Sequence, residues 1–411
     1  MNATLALDLQ AELEKSRGLA PKPPAAEQES RLERAREAMR SRDLDGLVVW
    51  GSAGANPEPI RYLAGYVHVF PGASSLLVLS HDRPPVLLID QPWHVDEAAR
   101  MSWIEDVRSY PNPARRWLAD ELRRALAGAF QDAGLERGQV GVFSGAMPAV
   151  YRDVLGDALP DVAFAEGAGV WEELVATPSA YDGETIRKNA AIADEGLAAA
   201  VAAAGEGVTE LDVCMASLTA MAAVGGEFLH GSGVSTHVNI GSFSDSISNV
   251  RPHLFTARPL ERGQMFWFDL TASHAGCYTD CDRTISVGEP SPQQREIYDV
   301  TAEMYAALVE GVKPGVTGGE LWDAALEIAT RAGYGDYVNH VYFGHTTGIT
   351  TSARPVIAAG ETTALRSGSF LNIEPGIFVP GVGSACIENT LLVDESGSAP
   401  INSFGTEIHV V

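Results

Sequence analysis

Short apolar runs alternate with amphipathic segments over the first 170 or so residues. The runs GLVVWG, SLLVLS and PVLLID are bounded by Gly, Pro, Ser or Asp, as is typical of buried strands, and QVGVFSG follows as a further strand. Between them, ESRLERAREAMRSRDL and PARRWLADELRRALAGAFQDAGL carry apolar residues at helical spacing. This alternation predicts an α/β layer over residues 29–172. The preceding residues 1–28 are predicted to form a short helical arm and a Pro/Ala linker.

The rest of the chain, residues 175–411, keeps its predicted helices and strands in separate blocks. A long Ala-rich helix is predicted to begin after Pro178 and Ser179 and to end at Gly205 and Gly207. The other predicted helices are 209–224, 292–311 and 318–333, and the predicted strands are 264–271, 276–288, 368–374 and 384–393. The pattern indicates an α+β domain built on antiparallel strands.

Composition and charge restrict the partners of the protein. Of the 411 residues 45% are hydrophobic and 20% are charged, which is typical of a globular chain, and the formal net charge is −25. So acidic a protein repels nucleic acid and anionic membranes, and neither is expected as a partner. Four cysteines are too few for a disulfide framework, and the N-terminus lacks the basic start and apolar run of a signal peptide. The sequence therefore predicts a cytoplasmic protein.

Five side chains of the second region suggest a metal site. Asp269 closes the apolar run MFWFD, Asp280 follows eleven residues later, His345 lies between glycines, Glu374 ends a β-type run and Glu388 lies inside another. Carboxylates in strands are costly to bury unless a cation or hydrogen-bond donors compensate, and two divalent ions would balance all four. Oxygen ligands with one imidazole favour Mn²⁺, Fe²⁺, Co²⁺ or Zn²⁺. Two such ions can hold a bridging hydroxide and polarise a carbonyl together.

The motifs around these residues resemble the signature of the pita-bread metallohydrolases, which include methionine aminopeptidase, Xaa-Pro aminopeptidase, prolidase and creatinase. FDLTASHAGCYTDCDRTISVG resembles the family's two aspartates followed by Arg-Thr, GHTTG its Gly-His-x-x-Gly, and IEPGIF and CIENTLLV its two glutamate motifs. The likeness covers about residues 30–411. It implies a creatinase/prolidase-like N-terminal α/β domain over 29–172 and an α+β pita-bread catalytic domain over 175–411.

The resemblance also implies a role for each of the five residues. Asp269 would bind one metal ion, His345 and Glu374 would bind the other, and Asp280 and Glu388 would bridge the two. Mn²⁺ is the expected ion. Glu374 would in addition take a proton from the attacking water.

Further candidates lie outside the metal ligands. His253, in NVRPH, is sixteen residues before Asp269 and resembles the family histidine that stabilises an oxyanion or exchanges a proton with the leaving nitrogen. The candidate substrate contacts are His340, Arg61, Ser352 and Arg354. In creatinase-like dimers the N-terminal domain of one subunit can close over the site of the other, so the resemblance implies a homodimer in which Arg61 reaches the substrate.

The sequence departs from the family where peptide substrates are gripped. Prolidases carry His-Glu-x-Pro where this chain has SARP, which places Ser352 and Ala353 at the His and Glu positions. Cys386 replaces the Arg that precedes the last ligand, and Thr271 replaces a Gly. We predict a dinuclear metal hydrolase that cleaves a C–N bond of a dipeptide or of a small amide, and these departures favour the small amide.

Two alternative functions remain open at this point. A lyase resembling the dimethylsulfoniopropionate lyases would use the same metal scaffold, but those enzymes have an additional Asp where this chain has Thr271. A metal-free pita-bread binding protein is the other alternative, and the five retained ligand positions argue against it.

Overall fold

The computed structural model of the protein describes residues 22–68, 72–90, 92–110, 119–143, 145, 147–228, 237–241 and 257–411, with the backbone alone for 237–241. The described chain divides into two compact units. The N-terminal unit contains residues 22–174, and the C-terminal unit contains the described residues from 175 onward. Among the described residues, none of the helices combines the length and the apolar character needed to cross a lipid bilayer.

The N-terminal unit is an α/β domain built on one mixed sheet. Its strands are β1 (Gly46–Ser52), β2 (Ser74–Ser80), β3 (Val86–Ile89), β4 (Asp106–Ser109), β5 (Gly138–Val142) and β6 (Val162–Glu166), in the order β4-β3-β2-β1-β5-β6. Its helices are α1 (Ala25–Arg40), α2 (Pro57–Ala64), α3 (Val95–Met101), α4 (Ala119–Ala133), α5 (Ala149–Ala158) and α6 (Ala168–Ala176). The pairs β1–β2 and β2–β3 are antiparallel and the remaining pairs are parallel. The predicted α/β architecture is confirmed.

Helix α1 begins earlier than the sequence pattern indicated. It starts at Ala25, directly after Pro24 at the N-cap, whereas the arm and linker were predicted to extend to residue 28. Residues 25–28, Ala-Ala-Glu-Gln, are all good helix formers, so nothing delays helix formation once the proline has been passed. Of the arm and linker predicted over residues 1–28, residues 1–21 lie outside the described residues.

The C-terminal unit combines long helices with three antiparallel sheets. Its helices are α7 (Ala180–Ala203), α8 (Glu210–Ala223), α9 (Pro292–Gly311) and α10 (Gly318–Arg331). Its strands are β7 (His237–Gly241), β8 (Met265–His274), β9 (Cys277–Ser286), β10 (Gly344–Thr347), β11 (Ala353–Val356), β12 (Phe370–Ile373), β13 (Gly376–Val379), β14 (Gly383–Cys386), β15 (Asn389–Asp394), β16 (Gly397–Pro400) and β17 (His409–Val410). The sheets have the orders β17-β9-β8-β7, β11-β10-β12-β15-β16 and β13-β14, and among the described strands of this unit only β17 pairs in parallel.

The helices of this unit begin where the capping residues place them. Ser179 starts α7 and Thr209 starts α8, each through a capping box in which the side chain accepts from the third helical N–H and an Asp returns the bond. The predicted helices over 209–224 and 292–311 match the observed ones closely, and α10 stops at Arg331, two residues before the predicted end at the left-handed Gly333.

The predicted strand over 384–393 is wrong, because it is two strands. β14 ends at Cys386 and pairs with β13, whereas β15 begins at Asn389 and pairs with β12 and β16. The chain therefore passes from one sheet to another at Ile387 and Glu388, and Glu388 lies in the connection instead of inside a strand.

The hairpin of β8 and β9 has one apolar face and one polar face. Phe268 and Leu270 of β8 and Cys281 of β9 are buried in a core with α7 and α8. Since successive strand residues point to opposite faces, the intervening residues of both strands lie on the other face. That face carries Asp269 and Asp280.

Candidate metal centre

Four acidic side chains and one histidine meet in the C-terminal unit. The ligand atoms of Asp280, His345 and Glu388 all lie within 4.8 Å of one another. His345 Nε2 is 3.4 Å from Glu374 Oε1 and 4.0 Å from Asp280 Oδ2. Asp269 is close enough to Asp280 for the two carboxyl groups to interact by a hydrogen bond. The structure thus gathers all five residues that the sequence singled out.

The residues come together because two sheets meet at this point. Asp269 and Asp280 lie on β8 and β9, whereas His345 lies on β10 and Glu374 directly follows β12. The sheets are joined by Thr390 of β15, whose Oγ1 accepts a hydrogen bond from the backbone N–H of Asp280 at 3.3 Å and donates to its carbonyl at 3.2 Å. The two sheets are therefore held together at the cluster by side-chain-to-backbone bonds between residues 110 positions apart.

Neighbouring polar groups orient three of the side chains. Thr271 Oγ1 donates to Asp280 Oδ1 at 2.9 Å, and Asn372 Nδ2 donates to Glu388 Oε1. His345 Nδ1 is 3.3 Å from the carbonyl of Thr346, which can only accept, so Nδ1 carries the proton. The lone pair of Nε2 then faces the carboxylates. Such outer hydrogen bonds orient the ligands of protein metal sites.

Burial and mutual repulsion shift the acid-base properties of the group. Burial, followed by the charges of neighbouring carboxylates, raises the pKa of Asp280, Glu374 and Glu388 well above their usual values in the metal-free protein. Burial lowers the pKa of His345 to about 4, so its imidazole is neutral at pH 7. A neutral imidazole beside ionisable carboxylates is the donor set that a divalent cation requires.

The described residues offer no basic partner to three of these carboxylates. Among the described residues, no Lys or Arg forms an ion pair with Asp280, Glu374 or Glu388. Glu374 Oε1 is buried and receives no hydrogen bond from the described part of the chain. A buried carboxylate without a donor destabilises the folded state by on the order of several kcal/mol unless a cation balances it. The residues present therefore fit divalent metal ions.

The other predicted site residues lie in different parts of the chain. His340 is exposed after the 3-10 turn at residues 335–337, and Ser352 is exposed just before β11. Arg61 lies on α2 of the N-terminal unit. His253 lies outside the described residues.

Arg354, the fourth candidate substrate contact, is already engaged. Its guanidinium donates to both oxygens of Glu361, at 2.9 and 2.8 Å, and this hydrogen bonding lowers the pKa of Glu361 to about 2. Arg354 is 65% exposed and Glu361 only 4%. The pair ties β11 to the following segment, so a substrate carboxylate would have to compete with Glu361 for this arginine.

Comparison with known proteins decides the family. The sequence profile of metallopeptidase family M24 matches residues 184–395, and that of the creatinase/prolidase N-terminal domain matches residues 31–174. The chain belongs to metallopeptidase family M24. An Xaa-Pro dipeptidase of Lactobacillus helveticus is 30% identical over 350 residues, which span 84% of this chain and 90% of that protein.

Solved structures of M24 proteins share the two-domain architecture. The prolidase from Pyrococcus horikoshii OT3 matches with a TM-score of 0.75 and 26% identity, over 93% of this chain and 100% of that one. The dipeptidase PepE from Mycobacterium ulcerans matches with a TM-score of 0.79 and 27% identity, over 95% of this chain and 100% of that one. These likenesses confirm the predicted pita-bread fold.

Membership of family M24 confirms the enzyme class. The protein is a metal-dependent peptidase that hydrolyses a C–N bond, and divalent metal ions are its cofactor. The comparisons do not favour the lyase, and they do not favour a non-catalytic binding protein.

Sequence reasoning missed three residues at the centre of this M24 peptidase. Asn372 holds Glu388, and the half-buried ring of Tyr342 is 5.9 Å from that of His345. Asp282 is 2% exposed, two residues beyond Asp280. The missed residues are Asn372, Tyr342 and Asp282. Only Asp282 had a signal in the sequence, because a residue two positions along a strand shares the face of the first.

Arg283 is a fully buried arginine that binds backbone instead of a carboxylate. It donates to five acceptors from three places in the chain. The acceptors are the carbonyls of Asp282, Glu388, Phe404 and Gly405 and the side-chain oxygen of Asn389. It therefore holds the connection at Glu388 and the C-terminal segment against β9.

We expect Arg283→Lys to lower the free energy of unfolding by about 3 kcal/mol. Lysine has three donors on one nitrogen, so at least two buried acceptors lose their partner. Urea denaturation measures the change. Arg295→Lys is the matched control, because Arg295 forms an exposed pair with Glu289 and should change the stability by less than about 1 kcal/mol. Equal urea midpoints for Arg283→Lys and the unmodified protein would contradict this role.

Proposed function

We propose that this M24 peptidase is an Xaa-Pro dipeptidase, which hydrolyses the peptide bond before a C-terminal proline. The observation that carries the proposal is the buried group of Asp280, His345 and Glu388, whose ligand atoms lie within 4.8 Å of one another and have no Lys or Arg partner among the described residues. The specificity is supported by the Lactobacillus helveticus relative, which is named an Xaa-Pro dipeptidase.

In this proposal the five residues divide two metal ions between them. Asp269 would hold one ion, His345 and Glu374 the other, and Asp280 and Glu388 would bridge both. The hydrogen bonds from Thr271 and Asn372 to one oxygen of each bridging carboxylate support this assignment, because they leave the second oxygen of each toward the cluster.

Bound ions of this kind supply Lewis-acid polarisation of the scissile carbonyl and make a water more acidic. The remaining roles belong to the chain. His345 stays neutral near pH 7 and keeps one tautomer through its Nδ1–H, so a proton does not compete with the metal ion for Nε2. Glu374 Oε1 has no hydrogen-bond donor among the described residues and is the group to take the proton of the attacking water. His253 would pass a proton to the leaving proline nitrogen.

Finer properties follow as further parts of the proposal. Mn²⁺ is the proposed ion, since four carboxylates and one imidazole form a predominantly hard donor set, with Fe²⁺, Co²⁺ and Zn²⁺ as alternatives. All four cysteines are buried thiols, which supports a reducing, cytoplasmic compartment. A homodimer is proposed from the resemblance to creatinase-like enzymes. Candidate substrate contacts are Arg61, His340, Ser352 and Arg354.

One observation favours a second substrate class, a small non-peptide amide. Ser352 and Ala353 stand where the resemblance places a His and a Glu in prolidases, and Ser352 is exposed. Loss of an imidazole and a carboxylate there would weaken the grip on a dipeptide without altering the metal centre.

A substrate panel tests the proposal. With Mn²⁺ present, we expect proline release from Ala-Pro and Leu-Pro at least about 100-fold faster than hydrolysis of Ala-Ala, creatine or simple amides, because an active site complementary to a substrate group discriminates by several kcal/mol. Release of product is followed by chromatography. Faster turnover of a small amide than of any Xaa-Pro dipeptide would overturn the specificity while leaving the metal centre intact.

A further inference from the structure

A sixth carboxylate lies beside the five residues of the metal centre. Asp282 is 2% exposed, and its Oδ1 receives no hydrogen bond from any described residue. The Asp282 carboxylate interacts with the Cys386 thiol, a weak donor that also lies 3.3 Å from the carbonyl oxygen of Pro375. A carboxylate in this position is not explained by packing, since half of its hydrogen-bonding capacity is buried and unused.

The strand register directs Asp282 to the same face as the metal ligands. In the antiparallel pairing of β8 with β9, Asp269 is directly opposite Asp282, and Thr271 is directly opposite Asp280. Directly opposed residues of an antiparallel pair share a face, with Cβ atoms about 5 Å apart. The 2.9 Å bond between Thr271 and Asp280 is consistent with this register. Asp282 is therefore the cross-strand neighbour of Asp269.

The surroundings of the side chain agree with the register. Among the described residues no Lys or Arg forms an ion pair with the Asp282 carboxylate. Arg283, the adjacent residue, donates to the backbone carbonyl of Asp282. The Asp282 side chain thus faces the same cation-demanding space as the five ligands.

We propose that Asp282 is a sixth carboxylate of the metal centre, which adds negative charge beside Asp269 and tightens the binding of the divalent ion there. This inference rests on the metal centre of the proposed function. Asp282 acts as a positioning residue: it stabilises the bound cation through its charge and takes no part in proton transfer to the substrate. A purely structural Asp282 would affect folding but not the affinity for metal.

The test compares Mn²⁺ binding by full-length metal-free variants, using isothermal titration calorimetry and chelator competition. Asp282→Asn keeps the shape and removes the charge, and we expect its Kd for Mn²⁺ to rise about tenfold or more. Asp282→Glu keeps the charge and should stay within about threefold of the unmodified protein, on the same reasoning. Should Asp282→Asn fail to fold, Asp282→Ser provides the neutral comparison.

Thr279→Val is the matched control. Thr279 is a fully buried polar residue of the same strand on the opposite face, and its hydroxyl donates to the carbonyl of Ile186 at 3.1 Å. It should lower the melting temperature and leave the Kd for Mn²⁺ unchanged. Asp282→Asn should do the reverse. Without metal its melting temperature should be unchanged or higher, since one of several repelling carboxylates is gone. On adding Mn²⁺ the melting temperature should rise by less than that of the unmodified protein, because the ion binds more weakly.

Two results would overturn the inference. One is a Kd of Asp282→Asn equal to that of the unmodified protein, and the other is an equal loss of affinity in Asp282→Asn and Asp282→Glu, which would indicate packing. Asp280→Asn separates these from failure of the whole site. If Asp280→Asn and Asp282→Asn both bind Mn²⁺ normally, the proposed metal centre is wrong. If Asp280→Asn loses binding and Asp282→Asn keeps it, only the role of Asp282 is wrong.

Discussion

Asp280→Ala is expected to remove metal and activity together. In the proposed site this carboxylate bridges both ions, and it is the residue that links His345, Glu388 and Asp269. Its loss leaves neither ion with a complete donor set, so kcat/KM for an Xaa-Pro dipeptide should fall by at least about 1,000-fold. Glu388→Ala, the other bridging position, should behave in the same way. Elemental analysis of the purified variants gives the metal content beside the rate.

The control for this experiment is a carboxylate of the same unit with a purely local role. Asp394 lies at the end of β15 and caps the turn at Ser396 and Gly397 through hydrogen bonds to their backbone N–H groups. Asp394→Ala should keep the full metal content and nearly the full rate. Turnover by Asp280→Ala at the unmodified rate in a sample free of metal would reject the proposed mechanism.

Metal removal is expected to make the stability of the protein fall as the pH rises. In the metal-free protein burial raises the pKa of Asp280, Glu374 and Glu388, and that of Asp282 to about 8. A carboxyl group whose pKa is raised by folding stabilises the folded state below its unfolded pKa, about 4. That contribution is lost as the pH rises through the folded-state pKa. The metal-free protein should therefore lose stability between about pH 4 and pH 8.

Bound ions should abolish this loss, because they need the same carboxylates in ionised form. Urea midpoints measured from pH 5 to pH 8 should fall in the presence of a chelator, by a free energy on the order of 3 kcal/mol, and should rise or stay level with saturating Mn²⁺. Asp280→Asn removes one of the repelling groups and should show a shallower fall with the chelator. Identical pH profiles with and without Mn²⁺ would show that the carboxylates are not ion ligands.

Much of the fold follows from local patterns in the sequence. The starts of α7 and α8 are set by Ser179 and Thr209, whose capping boxes are local. The break at Glu388 could not be predicted, because the run CIENTLLV looks like one strand and only its pairing with two different sheets divides it. That division is fixed by contacts such as Arg283 with the carbonyl of Glu388, 105 residues away.

The candidate site shows the same contrast. Residue type and spacing suggested Asp269, Asp280 and His345, and the resemblance of the surrounding motifs to the pita-bread family selected them. The hydroxyl of Thr271 and the amide of Asn372, which orient the bridging carboxylates, are ordinary strand residues whose role depends on cross-strand neighbours. Such pairings are decided by register, which sequence periodicity alone does not fix.

The central claim is that the carboxylate cluster exists to hold two divalent ions. Anomalous diffraction from crystals grown with Mn²⁺, recorded on both sides of the manganese absorption edge, tests it most directly. The account predicts two manganese peaks, both contacting the carboxylates of Asp280 and Glu388, with His345 and Glu374 at one and Asp269 at the other. A map without manganese at these side chains, from crystals grown in saturating Mn²⁺, would contradict it.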